Sequence, residues 1–249
     1  MRKLLLIFLF CPYLYFGLSQ TSQTEIPENL PELVLIPEGE FFMGAENGDN
    51  DEKIVHKVYI RSSFYIGKYE VSQQEWQEIM ESNPSHFKGD NRPVENITWE
   101  EAQEYLKRLS DLTGYTYRLP TETEWEYACR SESKSEFPFE NDGETLENFA
   151  WYENNSNTET SPVGLKNPNK WGLYDVLGNV SEMCMDWYFP KYTSDTPLYD
   201  PKGPSTGTYR VIRGGSWFDN EYHLRVSNRN IIDPEARCFN VGFRVVRDK

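Results

Sequence analysis

Three apolar-periodic segments in the middle of this chain open on a Ser or Thr followed three residues later by Glu: Ser72 with Glu75, Thr98 with Glu101, and Thr121 with Glu124. In that spacing hydroxyl and carboxylate each cap a backbone amide that the first helical turn leaves open, so three helix starts are predicted. The second helix is the clearest, with Ala102, Tyr105, Leu106, Leu109 and Leu112 on one face and Gly114 as its stop. The third turns Trp125, Ala128 and Cys129 inward. After it, residues 131–169 are rich in Asn, Glu, Ser, Pro and Gly without apolar periodicity, which predicts long ordered loops that need support. Strands are expected around the turn at Pro37 to Gly39, over 57–71, over 209–215 and over 241–247, where β-branched and aromatic residues concentrate. The pattern is α+β, irregular and loop-rich.

At 249 residues, with 38% hydrophobic and 15% aromatic composition, the chain has material for one substantial core, and a single domain over 33–249 is expected. Residues 1–19 read as a signal peptide: Arg2 and Lys3, an apolar run, then Gly17 and Ser19 before a cut at Gln20. The run is shorter than a bilayer span, so no stable membrane insertion is expected. Phe8, Leu9 and Phe10 argue against lipidation of Cys11. Residues 20–32 form a polar, proline-containing flexible leader. The mature protein is thus expected to be secreted or periplasmic. Loss of Arg2 and Lys3 reduces 25 basic residues to 23 against 40 acidic ones, a formal charge of −17 that disfavours nucleic acid and anionic membranes as partners. Cys129, Cys184 and Cys238 remain, an odd number that permits at most one disulfide; free thiols in apolar niches are the alternative.

The segment GLYDVLGNVSE, residues 172–182, gathers oxygen donors in one tight turn. Asp175 and Glu182 offer carboxylates, Gly178 permits the turn, and carbonyls at Gly178 and Val180 add to a shell of the kind calcium prefers.

Together with RLPTETEWEYA at 118–128, RGGSW at 213–217 and NVGFR at 240–244, this loop resembles the sulfatase-modifying factor family, whose best-known member is the formylglycine-generating enzyme. The resemblance runs from about Leu33 to Arg247. It implies an irregular fold related to C-type lectin domains, stabilised by a structural Ca2+ ion at Asp175, Gly178, Val180 and Glu182. A second family calcium site, near Asn148, has no clear acidic counterpart here and is not carried over.

The sequence also departs from the family. Ser181 and Met183 stand where relatives commonly have Trp, which alters the wall of the neighbouring cleft. Family oxidases hold copper through a cysteine pair shortly after GGS; here no cysteine lies between Cys184 and Cys238, and Asp219 takes roughly the place of the first. A hard carboxylate does not replace a soft thiolate on Cu(I), so copper is not expected. His56, His86 and His223 lie far apart in sequence, without the spacing of an iron or zinc site. Ser216 lacks a nucleophile elbow.

Around the former active site stand Arg213, Trp217, Tyr222, His223, Arg225, Arg229, Arg237 and Arg244. Either these arginines pair with the chain's own carboxylates, or they line a positive cleft for an acidic ligand. Trp217, His223 and Arg225 are the candidate cleft residues. The expected function is a binding or assembly module, or an accessory maturation factor, with a protein partner or a small acidic or carbohydrate ligand. The family includes partners in cell-surface secretion and gliding machineries and lectin-like binders. The alternative is an oxidative maturation enzyme, resembling those that finish siderophore chromophores, using the same cleft.

Overall fold

The computed structural model describes residues 29–139, 145–191 and 198–249. The signal peptide expected at 1–19 and most of the leader lie outside the described residues. The chain opens with β1 (Leu33–Ile36), β2 (Gly39–Met43), β3 (His56–Ile60) and β4 (Phe64–Gly67), followed by α1 (Gln73–Met80) and α2 (Trp99–Thr113). Then come β5 (Tyr117–Arg118), α3 (Glu122–Arg130), β6 (Ser181–Trp187) and β7 (Leu198–Tyr199). The chain closes with β8 (Arg210–Arg213), β9 (Arg229–Ile232), β10 (Val241–Gly242) and β11 (Val246–Asp248).

All three reciprocal caps form, so α1, α2 and α3 start at Ser72, Thr98 and Thr121. Gly114 ends α2 in the left-handed conformation, φ 77°, which glycine adopts without a Cβ clash. Ala102, Tyr105, Leu106 and Leu109 are buried as their spacing predicts. Trp76 of α1 stacks on Tyr105 of α2 at 5.4 Å, and Phe243 meets both rings edge-on, which seals the helical half of the core.

The segment 57–71 is two strands, not one: β3 pairs with β2, whereas β4 pairs with β1 and β11. Likewise 241–247 divides into β10, parallel to β6, and β11, which enters between β4 and β5. A continuous β-rich sequence does not reveal where a chain leaves one sheet for another, because both strands carry the same residue types. The sheets run β1-β4-β11-β5, β10-β6-β8-β9 and β2-β3-β7. No helix among the described residues is long and apolar enough to cross a membrane.

The described part of 131–169 is loop apart from a 3-10 turn at Leu146–Asn148 and a bridge from Trp151 to Gly178. Side-chain amides hold much of it. Asn169 donates to the carbonyls of Ala128 and Cys129 and accepts from the amides of Trp171 and Leu173. Asn179 accepts from Ser161 N–H and donates to Ser161 O and Glu70. Cys129, Cys184 and Cys238 are free; the first two are buried, and burial pushes both thiols up, away from thiolate reactivity.

Candidate functional site

The arginines expected around a cleft are largely consumed inside the protein. Arg225 forks onto Glu52 at 2.7 and 2.8 Å, with 5% of its surface exposed. Arg229 forks onto Glu122 at 2.6 and 2.8 Å. Arg213, fully enclosed, meets Glu126 and the carbonyls of Val226 and Ser227. Arg130 binds Glu126 from the neighbouring helical turn at 2.7 Å. Burial works to raise Glu126, but Arg130 and Arg213 outweigh it and hold the carboxyl below its ordinary value. Arg237, at the surface, pairs with Glu101 at 2.6 Å. Arg225 is therefore not a cleft residue. Arginine and its acidic partner stand as far apart in sequence as Glu52 and Arg225, and no local spacing announces such a pair.

Trp217, His223 and Arg225 also turn to different neighbours. Trp217, nearly buried, donates from Nε1 to Phe239 O and packs edge-on against Phe87 at 5.4 Å. His223 is half-buried and meets the Tyr222 ring edge-on. Arg225 lies over the Tyr222 ring at 4.1 Å, and Tyr222 in turn donates to Asp49.

The segment after GGS builds a different surface. Gly215, at φ 68°, passes so close to His223 O that an added Cβ would stand 2.9 Å from it. This close approach places Ser216 at the floor, where its hydroxyl donates to Asp219 at 2.6 Å and accepts from Asn240 Nδ2 at 3.2 Å. Asp219, expected at the place of a copper thiolate, thus belongs to a Ser-Asp-Asn hydrogen-bonded group. Beside it stand Phe218, 67% exposed, and Phe239, 50% exposed, with His86 against Phe239 at 5.3 Å and Phe87 beneath. Glu95, buried behind this rim, accepts from Phe87 N–H at 2.8 Å, and desolvation raises it to about 7. Cys238, next in sequence to Phe239, packs with the α1 and α2 core. Met183 is fully buried in that same core.

In the loop expected to bind calcium, Asp175 and Glu182 separate in role. Glu182 accepts from Arg244 Nε and Nη2, both at 2.6 Å, and from Trp125 Nε1 at 2.7 Å. Three donors, one of them a guanidinium, already engage Glu182, so it is the less available of the two carboxylates to a cation. Asp175 is more available: Oδ2 accepts from Gly164 N–H at 2.6 Å, while Oδ1 is buried with no hydrogen-bond partner among the described residues. Gly178 adopts φ 76° against Trp151 O, where a Cβ would stand 2.1 Å away, so no other residue fits this turn. Glu70, unrecognised in the sequence, completes the region by accepting from Val180 N–H and Asn179 Nδ2. Burial, then the charges of Asp175 and Glu182, push Glu70 well up; desolvation raises Asp175 to about 6. Among the described residues no three His, Cys, Asp or Glu side chains form a metal cluster by themselves.

With fold and site in hand, the chain belongs to the sulfatase-modifying factor family. Residues 18–249 match the family's sulfatase-modifying factor enzyme 1-like domain. Over its full length and that of the relative, it is 31% identical to the chaperone protein LppX of Paenibacillus barcinonensis. It is 32% identical to the formylglycine-generating enzyme of Streptomyces coelicolor over 64% of this chain and 53% of that enzyme, so it spans about half the enzyme's length. The solved structure of PvdO from Pseudomonas aeruginosa superposes with a TM-score of 0.81 at 28% identity, covering 90% of this chain and 97% of that one. The chain therefore has the irregular, loop-rich fold of the formylglycine-generating enzymes.

Proposed function

We propose that the protein is an exported binding and assembly module that has given up the copper-cysteine oxidase chemistry and engages a protein partner through the aromatic rim of Phe218, Phe239 and His86. The observation that carries the reading is the Ser216-Asp219-Asn240 group, where an oxygen acid stands in the expected place of a thiolate beside exposed aromatic rings. A carboxylate hydrogen-bonded to a serine is a poor home for Cu(I), whereas exposed phenylalanines suit apolar contact with a partner. The chaperone name of the full-length relative supports an assembly role.

Calcium enters this reading as a structural ion held by Asp175 Oδ1 and the carbonyls of Gly178 and Val180, where it would offset buried negative charge. Alanine at Trp217 or Arg225 would damage the core, so the decisive variant is Phe218→Ser with Phe239→Ser. Crosslinking in the exporting cell should lose the partner adduct in this double variant while the melting temperature stays unchanged. An undiminished adduct would sink the rim as the binding surface.

A second reading, an oxidative maturation enzyme, is favoured by the same polar group: the partly exposed Asp219, held from below by the fully buried Ser216, presents a carboxylate to a substrate at the rim. Asp219→Asn separates the two readings, since it would abolish turnover of a small substrate but leave partner binding in place.

A further inference from the structure

Away from the aromatic rim, the first turn of α3 borders a cavity of about 500 Å3, within the size range of small-molecule sites. Its apolar walls come from Trp187, Phe189, Leu198 and Pro201. Two of its wall charges, Glu122 and Arg229, are paired with one another. Asp186 is different. It is 5% exposed, and its Oδ2 accepts from Glu122 N–H at 2.8 Å, yet it enters no ion pair among the described residues. Burial, followed by the charge of Glu122, raises this carboxyl to about 7 against the opposing pull of Arg229. Lys191 and Lys202 also line the cavity, and both are exposed.

We propose that this cavity is a second ligand site for a small zwitterionic amino acid with an apolar side chain. The ligand's ammonium pairs with Asp186, its carboxylate with Lys191 and Lys202, and its side chain rests on Trp187, Phe189 and Leu198. Neither a simple amine nor a simple acid satisfies both ends: the amine leaves the two lysines unmet, and the acid brings a second anion toward Asp186. The site shares no residue with the aromatic rim, so it stands or falls independently of the partner surface.

Calorimetric titration of the purified protein with L-leucine and L-phenylalanine, and with the amine and acid that each yields on losing one charged group, tests the assignment. At least one amino acid should bind, and its amine and acid should each bind at least about tenfold more weakly, the scale of one lost charge contact. Asp186→Asn keeps an oxygen for Glu122 N–H and so preserves the fold; it should weaken the amino acid about tenfold while sparing the weak binding of the acid. Lys191→Ala with Lys202→Ala should weaken the amino acid and spare the amine. Absence of binding by both amino acids at millimolar concentration overturns the proposal. So does binding that the Asp186→Asn variant, melting as wild type does, leaves unchanged.

Discussion

Two buried acidic clusters in this molecule have been solved differently. Around α3, Glu122 and Glu126 face Arg130, Arg213 and Arg229, so both carboxylates have a guanidinium and Glu126 is held below its ordinary value. Around the 172–182 loop, Glu70, Asp175 and Glu182 share a single buried guanidinium among the described residues, Arg244, which spends its fork on Glu182 and its remaining bonds on Gly67 O and Tyr174 O, while the half-buried Lys166 acts on Asp175 only through space. There Glu70 and Asp175 are pushed up. A buried carboxylate is favoured as an ion where cations match it in number; elsewhere its pKa rises, and it takes a proton or attracts a metal.

The largest expected effect is at Arg244. Arg244→Met removes the buried guanidinium from three buried carboxylates and should cost about 3–5 kcal/mol, read by denaturant unfolding, or prevent folding altogether. Arg213→Met should cost less, about 3 kcal/mol, because Arg130 still meets Glu126 and Arg229 still meets Glu122. Equal losses at the two sites would remove the distinction between the clusters.

The proposed calcium ion would address only the under-matched cluster. At a hundredfold excess over its dissociation constant it should stabilise the protein by about 2.7 kcal/mol, and Asp175→Asn should abolish that gain. A calcium response that survives Asp175→Asn would place the ion elsewhere.

The smallest effect is on the acid side of the matched cluster. Glu126 has a folded-state pKa below its ordinary 4.5, so its contribution is present above 4.5 and fades as pH falls through the folded value. Over that window stability should drop by at most about 1.4 kcal/mol per pH unit on its account, and Glu126→Gln should flatten this part of the curve.

Much of the fold was legible because its signals are local. Reciprocal caps, the face of α2 and the glycines of the turns act over three or four residues, which a single sequence displays. Strand partition was not legible, because the choice of sheet at β3 and β4 depends on partners elsewhere in the chain. At the site, the sequence revealed the missing cysteine pair and the acidic loop. It hid Glu70 and Asn179, which act through contacts more than a hundred residues apart, and it grouped Arg225 with Trp217 although their side chains serve different neighbours. Charged residues near one another in sequence suggest a cleft; only their partners reveal whether the charge is already spent.

On the proposed function, the family fold persists here without copper-thiolate chemistry. Mass spectrometry of a sulfatase-type cysteine peptide incubated with the protein, oxygen and Cu(I), with bound metal measured in the same sample, decides this. An unconverted peptide and no stoichiometric copper are expected. Conversion of the cysteine to formylglycine would overturn the proposed loss of the oxidase.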